Sequence, residues 1–246
     1  MEVASLIARA LPAAPDGYAP MRVPCPRDGG RIRLANELAP EEQQWLKKRR
    51  ANTVAPMKDL LSRLKIDGFD AGKYIDKVSR DVKNLPNIGI AFSGGGYRAM
   101  LNGAGALAAF DSRTPSSKDD GHVGGLLQSA TYVSGLSGGA WLVGSVYSNN
   151  FSTIPELQAQ GANGGSSVWD FDRSIIEGPK TNRTLAVVGV VDYWRKLFSS
   201  IQAKRDAMFD VSVTDFWARG LSHQLINTPD GGAGKPDIWS AERNRN

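Results

Sequence analysis

Hydrophobic positions along the chain fall into short blocks, separated by prolines, glycines and polar runs. Residues 1–40 carry Pro12, Pro15, Pro20, Pro24, Pro26 and Pro40, which predict an extended arm with little regular structure. Helical spacing begins at Glu41 and predicts a helix to Ala55, with a break at Pro56. A second short helix fits Met57–Leu64 and sets Leu60, Leu61 and Leu64 toward the core. Asp67-Gly68-Phe69-Asp70 predicts a turn, and Lys73–Lys83 a further helix. The short apolar run Ile88–Phe92 predicts a buried strand, and the glycine turn after it opens a helix over Tyr97–Phe110. After a polar loop, Asp111–Gly121, the run Leu126–Ser134 leads to a second glycine turn and an apolar helix, Ala140–Tyr147. Residues 161–182, rich in Gly, Ser and Asn, predict surface loop. Strand–turn–helix units in succession predict an α/β layered domain.

The chemistry lies in the two glycine turns. In the first, "FSGGGYRAMLNGAG" (residues 92–105), three glycines stand between a strand and a helix. Bare backbone there lets amide N–H groups converge on an anion, which could be a phosphate, a pyrophosphate or the oxyanion of an ester under attack. In the second, Gly135-Leu136-Ser137-Gly138-Gly139 fits G-x-S-x-G, the nucleophile elbow. A serine at the tip of such a turn points its hydroxyl into a cleft, and the following helix adds amide donors and a positive dipole end. Gly94-x-Gly96-x-x-Ala99 also matches a relaxed dinucleotide fingerprint, with Asp111 closer than the usual acidic residue. There is no G-K-[ST], so a P-loop is excluded. Pairing of the two turns favours acyl transfer, with one turn supplying oxyanion donors and the other the nucleophile.

Composition narrows the partners only a little. The formal charge of +5 is thinly spread, which is weak support for nucleic acid, and Lys47-Lys48-Arg49-Arg50 predicts a solvated helix face. No apolar run approaches the roughly 18 to 20 residues that span a bilayer. A single cysteine, Cys25, excludes an internal disulfide framework and a cysteine-based metal cluster. Asn150-Phe151-Ser152 and Asn182-Arg183-Thr184 are glycosylation sequons, while Glu2 and Arg9 make the N-terminus a poor signal peptide.

The segments "LPNIGIAFSGGGYRAMLNGAG", "GGLLQSATYVSGLSGGAWLVGS" and "FWARGLSHQLIN" strongly resemble the fungal phospholipase B (lysophospholipase) family, relatives of the cytosolic phospholipase A catalytic domain. The resemblance runs from about Ala10 to Trp239 and implies a layered α/β-hydrolase-like domain of the patatin and cytosolic phospholipase A type, incomplete at its C-terminus. After the arm, residues 41–246 would be the N-terminal part of that catalytic domain. Carried over, Ser137 matches the nucleophile, Gly95 and Gly96 the amide donors of the oxyanion hole, and Arg98 the arginine that faces the substrate phosphate. Gly138 is placed to add a third donor. The implied reaction is hydrolysis of carboxyl esters of phospholipids and lysophospholipids at a lipid–water interface, without metal or cofactor, by a secreted or cell-surface enzyme glycosylated at Asn150 and Asn182.

The family's base is an aspartate in an Asp-Gly-Gly motif far downstream. Asp230-Gly231-Gly232 shares that tripeptide but follows "LSHQLINTP", so Asp230 is expected to be a turn residue and the base to lie beyond Asn246. His122 is expected to be structural or solvated, and His223 an ordinary helix residue. A patatin-like acyl hydrolase of broader specificity and a catalytically silent lipid- or anion-binding fragment are the competing readings.

Overall fold

The computed structural model describes residues 18–20, 24, 34–159, 168–171, 174–177 and 186–226. Most of the expected N-terminal arm, with Cys25, lies outside them. The chain divides into two compact units, one comprising Pro26–Val146 and Ser152–Pro155, the other Met1–Cys25, Tyr147–Phe151 and Glu156–Asn246.

In the first unit, α1 (Pro40–Arg63) runs unbroken through Pro56. The expected break does not occur because one face of the helix is buried on both sides of the proline, through Leu46, Thr53, Met57 and Leu60. Burying Met57 and Leu60 contributes about 1.5–3 kcal/mol each, which offsets the ~3 kcal/mol cost of an interior proline. Thr53, fully buried, satisfies its hydroxyl by donating to the Arg50 carbonyl at 2.8 Å. Leu61 packs beside the core, but Leu64 caps the helix and is 39% exposed, outside the face expected for it.

The helix expected over Lys73–Lys83 is split. Asp70 accepts from the Lys73 amide and starts α2 early, at Ala71–Val78. Asp81 then accepts from the Lys83 amide and diverts the chain into a 3-10 turn, Val82–Asn84. Met57, Ile75 and Leu85 form the core that joins α1, α2 and this turn.

Strand β1 (Gly89–Phe92) pairs in parallel with β2 (Tyr132–Gly135), in the register Gly89↔Tyr132 to Phe92↔Gly135. Ile90 and Phe92 are buried, while Gly89 and Ala91 lie on the open face. Between the strands run α3 (Gly96–Phe110) and the short α4 (Leu126–Ser129), and α5 (Gly138–Ser148) follows β2. The result is an α/β unit on a small parallel sheet, with both expected strand–turn–helix steps.

Helix α1 also holds the loop between α3 and β2. Arg49 donates to the Ala130 carbonyl at 2.6 and 3.0 Å and to the Gln128 carbonyl at 3.0 Å. Only Lys47 and Lys48 match the solvated face expected of the basic run. Arg49 departs from it because the last carbonyls of α4 need donors, and a planar guanidinium serves two at once. Arg63 does the same for the Gly124 and His122 carbonyls.

Helix α6 (Ile154–Gln158) carries the chain from the first unit into the second, which holds a helical pair, α7 (Ala186–Asp206) and α8 (Val213–Leu225). Tyr193, Leu197 and Ile201 are its core, with Tyr18 and Phe216 packed against them. Ser212 and Asp215 form a capping box at the start of α8. Tyr18 donates to Asp215 Oδ1 at 2.8 Å, and Lys204 reaches the same oxygen at 2.7 Å. The lysine bond is the main reason the Asp215 carboxyl is held down to about 2, while burial, followed by the Asp215 bond, pushes the Tyr18 hydroxyl up to about 12. Where residues 161–182 are described, they are not all surface loop. Trp169 is 3% exposed, its amide bonded to the Leu157 carbonyl at 3.0 Å, and Ile175 is buried under Tyr193. A polar average composition hid two single apolar anchors.

Candidate active site

Because β1 and β2 are parallel and Phe92 stands opposite Gly135, the two glycine turns leave the sheet at the same level. The Leu136 amide donates to the Phe92 carbonyl at 3.0 Å and carries the pairing one step past the strand. The chain then reverses at Ser137, whose φ is +51°. Left-handed backbone costs a non-glycine residue roughly 1–2 kcal/mol, and such strain is kept where it places a working group. Gly139 donates to the Leu136 carbonyl at 2.9 Å and Trp141 to the Ser137 carbonyl at 3.0 Å, so the reversal runs directly into α5. Ser137 is exposed at the tip, and Leu136 beside it is 71% exposed.

The first turn wraps against this tip. Gly95 (φ +135°) and Gly96 (φ +64°) occupy conformations that side chains rarely adopt. A Cβ at Gly94 would lie 3.0 Å from Ser137 Cβ and 3.7 Å from its Oγ. A Cβ at Gly138 would run into the backbone of Gly96, and one at Gly139 into the Phe92 carbonyl. The N-termini of α3 and α5 therefore meet backbone to backbone, with the Ser137 hydroxyl at their junction. Two helix starts bring amide donors and positive dipole ends to one place, an arrangement suited to a developing negative charge.

The structure thus brings Gly95, Gly96, Ser137 and Gly138 together. Arg98 lies in the first turn of α3, exposed, and among the described residues it makes no ion pair. Among those same residues the Ser137 hydroxyl makes no hydrogen bond to a carboxylate or an imidazole. His122 is exposed, with Nδ1 2.7 Å from the Ser116 carbonyl, in the structural or solvated role expected of it. His223 falls within α8. Asn150 is exposed just past α5 with φ +55°. Asn182 and Asp230 lie outside the described residues.

Asp111 is 3% exposed and fully engaged. It accepts from Arg113 at 2.7 to 3.1 Å and from Gln128 at 2.7 Å. Burial pushes its carboxyl up, but Arg113 and Gln128 outweigh that and hold it below the usual range. An aspartate so committed is not available to a ribose hydroxyl, which removes the dinucleotide reading of the first turn. Sequence reasoning missed Gly94, whose missing side chain lets the turns close, and the aromatic pair Tyr97 and Trp141 above them. The only signal was position, since both aromatics stand at the start of helices that begin on glycine.

Both turns lie inside residues 88–244, which match the family model for the lysophospholipase catalytic domain. The chain belongs to this family. Lysophospholipase 3 of Aspergillus fumigatus is 58% identical over 95% of this chain and 36% of its own length. The lysophospholipase of Arthroderma benhamiae is 55% identical over 93% of this chain and 35% of its own. Lysophospholipase 2 of Saccharomyces cerevisiae is 41% identical over 97% and 33%. The chain therefore spans about a third of the length of these curated lysophospholipases. Among solved structures, human GIVD cytosolic phospholipase A2 bound to a fluorophosphonate inhibitor aligns with a TM-score of 0.43 and 24% identity, over 77% of this chain and 23% of that one.

Proposed function

We propose that the chain carries the nucleophile and oxyanion hole of a lysophospholipase or phospholipase B, on the α/β-hydrolase-like fold implied by its family. The observation behind this reading is the strained, exposed Ser137 seated where two glycine-started helices meet. Ser137 Oγ attacks the acyl carbonyl of a lysophospholipid or phospholipid and passes its proton to a carboxylate base. The amides of Gly95, Gly96 and Gly138 donate to the oxyanion, each worth roughly 2.7–4 kcal/mol in the transition state. The base returns the proton to the departing glycerol oxygen, leaving an acyl-enzyme. Water, deprotonated by the same base, then releases the fatty acid and restores Ser137. The base is an aspartate, which we place in the part of the catalytic domain that the relatives possess and residues 1–246 do not span.

Labelling with a serine-directed fluorophosphonate, run beside lysophosphatidylcholine hydrolysis, tests this reading. The full-length enzyme is expected to label at Ser137 and to turn over, and residues 1–246 alone to do neither. An unlabelled Ser137 in the full-length protein would leave a lipid- or anion-binding module. Robust turnover by residues 1–246 that Asp230→Asn abolishes would make Asp230 the base.

Arg98 is the proposed phosphate reader, because a guanidinium grips two phosphate oxygens at once. Arg98→Lys keeps the charge and loses the fork. Phospholipid hydrolysis should fall about tenfold further than hydrolysis of a neutral short-chain ester, equivalent to ~1.4 kcal/mol. Equal losses on the two substrates would make Arg98 a structural residue and not a phosphate reader.

Secretion or display at the cell surface, with N-glycans on Asn150 and Asn182, completes the proposal. The exposure of Asn150 supports it. Glycosidase treatment of natively produced protein is expected to increase its mobility, and Asn150→Gln to remove part of that shift.

A further inference from the structure

The helix starts that carry the two turns touch a second time. Tyr97 follows Gly96 in α3, Trp141 stands one turn into α5, and their rings meet edge to face with centroids 5.3 Å apart at 62°. Neither ring is part of the buried core. Both are half-buried, while the neighbouring Met100 and Leu142 anchor the same helices as fully buried side chains. The two helices also meet where Gly138 approaches the backbone of Gly96 and, further along α3, where Leu142 lies against Gly103. At the glycine contact itself no side chain holds one turn against the other. The ring contact ties the helix starts themselves, at the second residue of α3 and the fourth of α5. Trp141 is also the residue whose amide bonds to the Ser137 carbonyl at 3.0 Å, so its backbone holds the elbow while its ring meets Tyr97 at the start of α3.

We infer that the Tyr97–Trp141 pair is a positioning element for ester hydrolysis, fixing the glycine turn against Ser137 so that oxyanion donors and nucleophile keep one spacing. The inference rests on Ser137 being the nucleophile. Its chemical logic is that two of the three proposed donors, Gly95 and Gly96, open α3 while Ser137 leads into α5, and a shift of about 1 Å between them can cost on the order of 10²-fold in rate. The rings touch no reacting atom. Their loss should lower the rate of the chemical step and leave substrate affinity nearly unchanged.

The test uses the full-length enzyme with Tyr97→Met, Trp141→Met, the double variant, and Tyr97→Phe and Trp141→Phe. Sites are counted by fluorophosphonate labelling, and kcat and KM are measured on lysophosphatidylcholine. Each methionine variant is expected to lose about 10- to 100-fold in kcat per labelled site, with KM within about threefold. The double variant should be no worse than the poorer single, because one contact is lost once. The phenylalanine variants, which keep the ring contact, should stay within about threefold of the parent. Losses that multiply in the double variant, or a lower melting temperature with unchanged kcat per site, would overturn the inference. Should a methionine variant not accumulate, the phenylalanine variants decide, and a tenfold loss in either with normal melting would overturn it. Absence of labelling in the unsubstituted enzyme would remove the Ser137 assignment and this inference together, whereas normal labelling with multiplying losses removes this inference alone.

Discussion

Ser137→Ala and Ser137→Gly in the full-length protein are both expected, on the nucleophile role proposed for Ser137, to lower ester hydrolysis by about 10⁴- to 10⁶-fold, the scale on which a covalent nucleophile is missed. The two variants should differ in stability, and that difference carries the structural information. Alanine inherits the left-handed backbone at φ +51°, where a Cβ costs roughly 1–2 kcal/mol. Glycine removes that cost but adds ~1 kcal/mol of chain entropy in the unfolded state. Ser137→Gly should therefore be as stable as Ser137→Ala, or more stable by up to about 1 kcal/mol, reversing the usual order of the two residues. Paired thermal melts and lysophosphatidylcholine assays read both effects. An alanine variant that melts clearly above the glycine variant would mean that the backbone at the elbow is relaxed. Retention of more than a few per cent of activity would mean that the nucleophile is another residue.

The strand–turn–helix steps were legible because glycine and short apolar runs punctuate them locally. Ile88–Phe92, Tyr97–Phe110 and Ala140–Tyr147 were expected, and Gly89–Phe92, Gly96–Phe110 and Gly138–Ser148 were found. Both helices start at the glycines themselves, since the turns feed directly into helical hydrogen bonds. Features decided by distant contacts were not legible. Pro56 carries a local stop signal, and the burial of Met57 and Leu60 overrides it. Arg49 looks like one charge in a basic run until the carbonyls of Gln128 and Ala130, about eighty residues away, claim it. Asp111 looks like a ribose ligand until Arg113 and Gln128 surround it. At the site, the residue types were readable in order. That Gly94 touches Ser137 and Gly138 touches Gly96 depends on strand register, which no local pattern specifies.

That register makes Gly138→Ala one of the most damaging single-methyl changes expected in this unit. The added Cβ would meet the carbonyl, carbon and nitrogen of Gly96, which are backbone atoms with no flexible end to swing aside. Either α5 withdraws from the sheet or the start of α3 moves, and each breaks the closure around Ser137. A loss of about 3 kcal/mol or more, or failure to fold, is expected from overpacking of this kind. Any folded remainder should also lose on the order of 10²-fold in turnover, because the Gly95 and Gly96 amides would be displaced from their proposed partner. Gly105→Ala supplies the contrast on α3. That glycine is exposed in mid-helix and a Cβ there meets nothing within 4 Å. Its replacement should stabilise by roughly 0.5–1 kcal/mol with activity unchanged. Chemical denaturation of both variants, followed by assay of the soluble fraction, separates the cases. If Gly138→Ala folds as well as Gly105→Ala and turns over normally, the two helix starts do not meet through their backbones, and the oxyanion geometry proposed for this family member would have to be rebuilt from other donors.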